Sequence, residues 1–180
     1  MLRSIKNQDL LLLAAKLIVG LLMGFIIFAL VMVLLSFGAV LTVGQGEILA
    51  KLAMIDAPRW IAWVVALALA LVTIALFLGV RFTLELYGII ASVGDGDPFQ
   101  PENGARLGRM GWLALGAQAI GLAVSGIGAW LRPFAEKVGE DITFDFDLEF
   151  SGILLILILF ILARVFRHDA AMREDLEGTM

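Results

Sequence analysis

Apolar residues in this chain are gathered into four long runs that are separated by short polar segments. The runs cover residues 10–43, 60–80, 107–130 and 150–166. A helix needs about 20 apolar residues to cross the hydrocarbon core of a bilayer, where it satisfies all of its backbone hydrogen bonds internally. The pattern therefore predicts an all-α membrane protein, a four-transmembrane-helix bundle that forms a single domain over residues 1–180.

A different pattern lies between the third and fourth runs, where polar and apolar residues alternate from Asp141 to Phe150. This period of two is typical of a β-strand, and a strand needs a pairing partner because it has little stability alone in water. Residues 44–56, between the first and second runs, could supply that partner or could form a short amphipathic helix through Glu47 and Lys51. We expect a small extracytoplasmic β or amphipathic element here and favour the hairpin.

The composition supports the membrane interpretation and narrows the function. Hydrophobic residues make up 61% of the chain and charged residues 17%, whereas soluble domains have about 45–50% and about 25%. The 13 Lys and Arg residues are outnumbered by 17 Asp and Glu residues, which argues against direct nucleic-acid binding. With no cysteine and one histidine, the sequence offers no thiol nucleophile and no metal-ligand motif. We expect a non-enzymatic protein without a cofactor, in contact with the lipid bilayer.

The basic residues predict how the spans are oriented. A cytoplasmic N-terminus places nine of the 13 basic residues on the inner side, and an excess of Lys and Arg is typical of cytoplasmic loops. The inner set is Arg3, Lys6, Lys16, Arg81, Arg106, Arg109, Arg164, Arg167 and Arg173. We therefore expect both termini in the cytoplasm. The first run is far longer than the roughly 7–15 apolar residues of a signal peptide, so we expect it to be an uncleaved anchor.

The inner loop between the second and third runs, residues 92–105, is rich in turn-forming residues. Either Asp97 or Asn103 could cap the free amides at the start of the next helix. Phe99 is expected to pack against the bundle and to make this loop a rigid elbow. These features favour a structural turn with an exposed polar surface.

Charged residues continue the helices on the predicted inner side. Arg106 and Arg109 are three residues apart and share a helical face, where they could anchor the span, bind lipid phosphates or contact a protein. Arg81 and Glu85 have the spacing of an ion pair on an inner extension of the second helix. The tail is expected to continue the last helix into the cytoplasm. The candidate partner-binding residues are Asp97, Phe99, Asn103, Arg106, Arg173, Glu174 and Asp175.

Small residues inside the spans indicate where helices could approach one another closely. The candidate helix-packing residues are Gly20, Gly24, Ala117, Gln118, Gly121 and Ser125. We expect them to serve packing within the bundle, with a homodimer contact as the alternative. Gln118, near the middle of the third run, is expected to form a hydrogen bond between helices.

Several short motifs together resemble a bacterial family of four-span membrane proteins, the domain of unknown function 2975 family. The motifs are Asp-Pro-Phe at 97–99, Glu-Asn at 102–103, Arg-Leu at 106–107, Ala-Arg-Val-Phe at 163–166 and Arg-Glu-Asp-Leu-Glu-Gly-Thr at 173–179. The family tail ends near Thr-Val, whereas this chain ends Thr179-Met180. The resemblance implies a location in the cell inner membrane. Because family members are often encoded beside a Cro/CI-type helix-turn-helix regulator, it also implies such a regulator as a cytosolic partner.

Taken together, these observations favour a multi-pass membrane protein with a signalling, regulatory or interaction role. Its inner loop and tail would hold a cytosolic regulator. The alternatives are a small-solute transporter, for which Gln118 is the one candidate residue, and an accessory subunit of a larger membrane complex.

Overall fold

A computed structural model describes residues 2–42, 44–96, 99–137, 139 and 150–177 of the chain. It contains the helices α1 (Leu2–Thr42), α2 (Gly44–Met54), α3 (Ile61–Gly94), α4 (Pro101–Lys137) and α5 (Phe150–Glu177). Within those described ranges there is no β-strand. The prediction of an all-α chain is confirmed for this part of the protein.

Four of the helices are long and apolar enough to cross a membrane. The candidate spans are Leu10–Thr42, Ile61–Gly94, Pro101–Lys137 and Phe150–Asp169. Each covers one of the four apolar runs to within one residue, so the chain has the helices of a multi-pass membrane protein. The helices extend further than the apolar runs because their charged flanks are also helical, as predicted for the tail.

The segment between the first two candidate spans differs from the favoured prediction of a hairpin. Residues 44–54 form α2, so they supply no partner strand, and the amphipathic-helix alternative is correct for this segment. Its sequence consists mainly of residues with good helix propensity, such as Ala, Leu, Glu, Lys and Met. Asp56 follows the helix with a φ of 51°, a left-handed conformation that Asp tolerates. The second half of the predicted hairpin, residues 141–149, lies outside the described residues.

The chain divides into two compact units. Unit 1 comprises Met1–Ile26, Leu78–Leu115 and Phe150–Met180, and unit 2 comprises Ile27–Phe77 and Gly116–Glu149. The core of unit 1 contains Leu107, Met110, Leu159 and Ala163. The core of unit 2 contains Ile61 and Leu131.

In unit 1, α4 approaches α5 closely along a row of glycines. A Cβ added at Gly104 would lie 2.9 Å from Cγ of Arg167 and 3.2 Å from its backbone nitrogen. At Gly111 an added Cβ would lie 2.9 Å from the ring of Phe160. Gly108 lies between these two positions in the sequence. A side chain at Gly104 would therefore push against the backbone of α5, and one at Gly111 would require the ring of Phe160 to move.

In unit 2, aromatic side chains contact each other near the start of α3 and the end of α4. The rings of Trp60 and Trp130 stack with their centroids 5.2 Å apart and an interplanar angle of 27°. Phe134 extends the cluster, with its centroid 5.3 Å from that of Trp130. Such aromatic pairs contribute about 0.5–1.5 kcal/mol beyond the apolar area that they bury.

The first span is much less covered by the rest of the chain than the others. Only 6% of its most apolar window is buried, against 17% in each of the other three spans. No atom among the described residues would lie within 4 Å of a Cβ added at Gly20 or Gly24. Among the described residues, therefore, the pair makes no close contact of the kind seen at Gly104 and Gly111. Its packing within the bundle and the alternative homodimer contact both stay predictions.

Candidate functional site

The most polar helix contact in the structure is the one between α3 and α4 in unit 1. It has three levels, which pair Glu85 with Arg109, Gly88 with Arg106, and Ser92 with Asn103. Each step of three or four residues along α3 corresponds to a step of three along α4 in the opposite direction. This is the spacing that keeps side chains on one face of each helix. We call this set of six residues the polar contact.

The most buried level of the polar contact is the hydrogen bond between Asn103 and Ser92. Asn103 is fully buried, and its side-chain nitrogen donates to the Ser92 hydroxyl at 2.6 Å. The Ser92 hydroxyl donates in turn to the carbonyl oxygen of Ile89 at 2.8 Å. A buried amide requires such partners because an unsatisfied one costs about 1–3 kcal/mol.

Asn103 does not act as the helix cap that the sequence suggested. It is the third residue of α4, and its backbone N–H donates to the carbonyl oxygen of Gln100 at 3.0 Å. Pro101 occupies the first position of the helix, where a missing N–H costs nothing. The side chain of Asn103 instead extends to α3, where it contacts Ser92. Asp97, the other proposed cap, lies outside the described residues.

The middle level depends on a glycine. The guanidinium of Arg106 lies against α3, where a Cβ added at Gly88 would be 2.6 Å from Nη1. Nη1 of Arg106 also donates to Oδ1 of Asn103 at 3.4 Å. Arg106 is half-buried. Arg106, for which the sequence offered span anchoring, lipid phosphates or a protein contact, thus takes part in the contact between the helices.

The outer level of the polar contact is an ion pair between two helices. Nε and Nη2 of Arg109 donate to the two carboxylate oxygens of Glu85 at 2.8 and 2.9 Å. The expected Arg81–Glu85 pair is therefore wrong, because the carboxylate of Glu85 faces α4. A bidentate pair fixes both distance and orientation, so it defines the register of α3 against α4.

The elbow after α3 is held against α5. The rings of Phe99 and Phe166 have centroids 5.3 Å apart, which confirms that Phe99 packs on a neighbouring helix. Phe99 is nevertheless 38% exposed. Arg173, Glu174 and Asp175 lie within α5, which ends at Glu177. The elbow therefore contacts α5, the helix that contains the predicted tail residues, through the rings of Phe99 and Phe166.

Hydroxyl groups inside the spans are satisfied by their own helices. The side chains of Ser36, Thr73 and Thr83 donate to the carbonyl oxygens four residues earlier, at 2.8–2.9 Å. These groups therefore present no free donor to a passing solute. Gln118 is half-buried, and its expected hydrogen bond between helices stays a prediction. Ala117, Gly121 and Ser125 are also half-buried.

The sequence analysis missed Gly88 and Ser92 as members of the polar contact. The available signal was their spacing from Glu85, because positions 85, 88 and 92 follow the three- and four-residue steps of one helical face. Within the described residues, no three His, Cys, Asp or Glu side chains are grouped so that they could hold a metal ion. Comparison with protein-family models, with curated proteins and with solved structures finds no match.

Proposed function

We propose that this multi-pass protein has a non-enzymatic regulatory role and holds a cytosolic partner at the inner end of unit 1. The binding surface would consist of the exposed ring of Phe99 on the elbow, which the buried side chain of Asn103 helps to position, and of the end of α5. The observation that carries this proposal is the length of α5, which continues to Glu177, eleven residues beyond the apolar run that ends at Phe166. Eleven helical residues extend about 16 Å, enough to present about three turns to a partner in the cytosol.

Contacts made by the described residues of the elbow support the same proposal. The buried bond between Asn103 and Ser92 ties the elbow to α3, and the ring contact between Phe99 and Phe166 ties it to α5. A surface that is ordered before binding loses less conformational entropy when a partner docks. The half-exposed ring of Phe99 is an apolar anchor on that surface.

The partner that best fits the proposal is a cytosolic helix-turn-helix regulator, as the family resemblance implies. The proposal also places both termini in the cytoplasm and the protein in the bacterial inner membrane, in agreement with the distribution of basic residues. The tail sequence from Arg173 to Glu177 carries both charge signs. It therefore offers ion pairs to a partner of mixed surface charge.

Site-specific photo-crosslinking in intact cells tests this proposal. A photoreactive residue at Glu174 is expected to capture a soluble DNA-binding protein. The matched control is the same residue at Met54, which is 83% exposed at the end of α2 and would face the opposite side of the membrane. Capture of the same protein from both positions, or of none from Glu174, would contradict the proposal. Capture of an integral membrane protein from Glu174 would favour the accessory-subunit alternative.

A further inference from the structure

Unit 2 contains a cleft between the end of α1, α2 and the start of α3, with a volume of about 180 Å³. It is lined by Val40, Leu41, Leu49, Arg59, Ala62, Trp63 and Ala66. Among these described residues Arg59 is the only one with a charge. We call this feature the Arg59 cleft. Neither the polar contact nor the proposed partner surface uses any of its residues.

The Arg59 cleft has a buried floor and an exposed rim. Ala66 is 8% exposed, whereas Trp63 is 66% exposed and Arg59 is also exposed. Ala62 and Ala66 are four residues apart, so they lie on one face of α3. Their short side chains leave the space that Leu49 and Val40 border on the other sides. An elongated apolar group fits such a groove, with a polar head at the Arg59 end.

The position of the cleft along the spans indicates the depth at which it lies. Arg59 precedes the first residue of the second span by two positions, and Leu41 precedes the last residue of the first span by one. The cleft therefore lies at the ends of two candidate spans, where we expect the lipid headgroups. Tryptophan is enriched at this level of membrane proteins, and Trp63 lies on the rim.

We propose that the Arg59 cleft binds one anionic phospholipid, with an acyl chain along Ala62 and Ala66 and the phosphate on the guanidinium of Arg59. Two features together carry the assignment, the apolar groove and the single cation at its headgroup end. Guanidinium is the side-chain group whose donors match the geometry of a phosphate, and its charge favours a lipid with net negative charge over a zwitterionic one. A basic residue at the membrane surface contributes about 1 kcal/mol to such binding, which corresponds to a preference of about five-fold.

Photo-crosslinking of the full chain in vesicles tests this assignment. The vesicles are phosphatidylcholine with a small fraction of lipid that carries a photoreactive group in one acyl chain, either as phosphatidylglycerol or as phosphatidylcholine. Peptide mapping is expected to show adducts at Leu49 and Trp63 about five times more often with the anionic lipid. Equal labelling by both lipids would overturn the proposal.

Variants separate the headgroup from the acyl chain. Arg59→Gln is expected to abolish the anionic preference, whereas Arg59→Lys retains most of it and Arg132→Gln, at an exposed arginine of unit 2 outside the cleft, leaves it unchanged. Ala62→Leu fills the groove and is expected to lower labelling by both lipids, with thermal unfolding as the check that the variant folds. An unchanged preference in Arg59→Gln, or unchanged labelling in folded Ala62→Leu, would overturn the proposal. Loss of labelling when inorganic phosphate is added would show a headgroup-only site and would also overturn it.

Discussion

The two units of the protein hold their helices together by different means. In unit 1, α4 and α5 come close enough that Gly104 and Gly111 exclude side chains, and buried polar groups join α3 to α4. In unit 2, large aromatic side chains such as Trp60 and Trp130 fill the contact, and the Arg59 cleft remains between helices. Because lipid is as apolar as the helix surfaces, association in a membrane depends on close packing and hydrogen bonds. Unit 1 has both the closer helix packing and the buried hydrogen bonds. We therefore expect single substitutions to lower the free energy of unfolding more in unit 1 than in unit 2.

The largest effect is expected from a side chain placed in the α4–α5 contact. Gly104→Leu should lower the free energy of unfolding by about 2 kcal/mol, since Arg167 must move to make room. Thermal unfolding in mild detergent measures the change. Gly20→Leu is the matched control, because no described atom of another helix lies within 4 Å of a Cβ added at Gly20. It should leave the free energy of unfolding nearly unchanged. Equal effects of the two variants would show that the glycine row is not a close contact.

The next effect concerns the buried hydrogen bond of the polar contact. Asn103→Leu should lower the free energy of unfolding by about 1.5 kcal/mol, because Arg106 and Ser92 lose their common hydrogen-bond partner. A double-mutant cycle with Ser92→Ala, followed by thermal unfolding, should give a coupling of about 1 kcal/mol. Additive effects of the two substitutions would mean that the 2.6 Å bond contributes nothing to stability.

In unit 2 we expect a smaller loss from the aromatic cluster. Trp130→Leu should lower the free energy of unfolding by about 1 kcal/mol, because it removes the ring that stacks on Trp60. The loss is small because leucine keeps an apolar side chain at this position. Trp63→Leu serves as the control, since Trp63 is 66% exposed at the rim of the Arg59 cleft. If both variants unfold at the same temperature as the original chain, stacking does not stabilise unit 2. If Trp130→Leu lowers the free energy of unfolding more than Gly104→Leu does, then unit 2 is the unit that is more sensitive to single substitutions.

The smallest effect is expected at the ion pair of the polar contact. The side chain of Arg109 is 54% exposed and that of Glu85 14% exposed, and water at the predicted cytoplasmic end of these helices would screen their attraction. A double-mutant cycle with Glu85→Gln and Arg109→Gln should give a coupling of about 0.5 kcal/mol. The coupling should fall at high ionic strength, which unfolding measurements at two salt concentrations can check. A coupling that is independent of salt would indicate that the pair acts through its hydrogen bonds alone.

The sequence was sufficient to predict the spanning helices because their signal is composition and length. Residues 60–80 contain no charged residue, and a helix there requires no knowledge of its neighbours. The continuation of α5 to Glu177 was also predictable from the helical spacing of Asp169 and Arg173. The local structure of residues 44–54 was not, because a short segment of mixed polarity fits a helix or a strand and its surroundings decide.

The packing faces were much harder to predict. Gly20 and Gly24 match the best-known motif of helix association, yet no described atom of another helix lies within 4 Å of a Cβ added at either, whereas Gly104 and Gly111 contact α5 closely. In a soluble protein the buried face of a helix is apolar and the other face is polar. In a membrane both faces are apolar, so a single sequence does not show which glycine meets a neighbour. The Glu85–Arg109 pair was missed for a related reason, since the partner on the same helix was as plausible from spacing alone.

The sparse coverage of α1 has a consequence for how the protein responds to the membrane around it. Its apolar span of 33 residues is about 50 Å long, whereas the hydrocarbon core of a bilayer is about 30 Å thick. The excess must be accommodated by tilt or by the emergence of the helix ends. Because its neighbours hold α1 least, α1 is the element that adjusts when the protein enters a thinner or thicker bilayer.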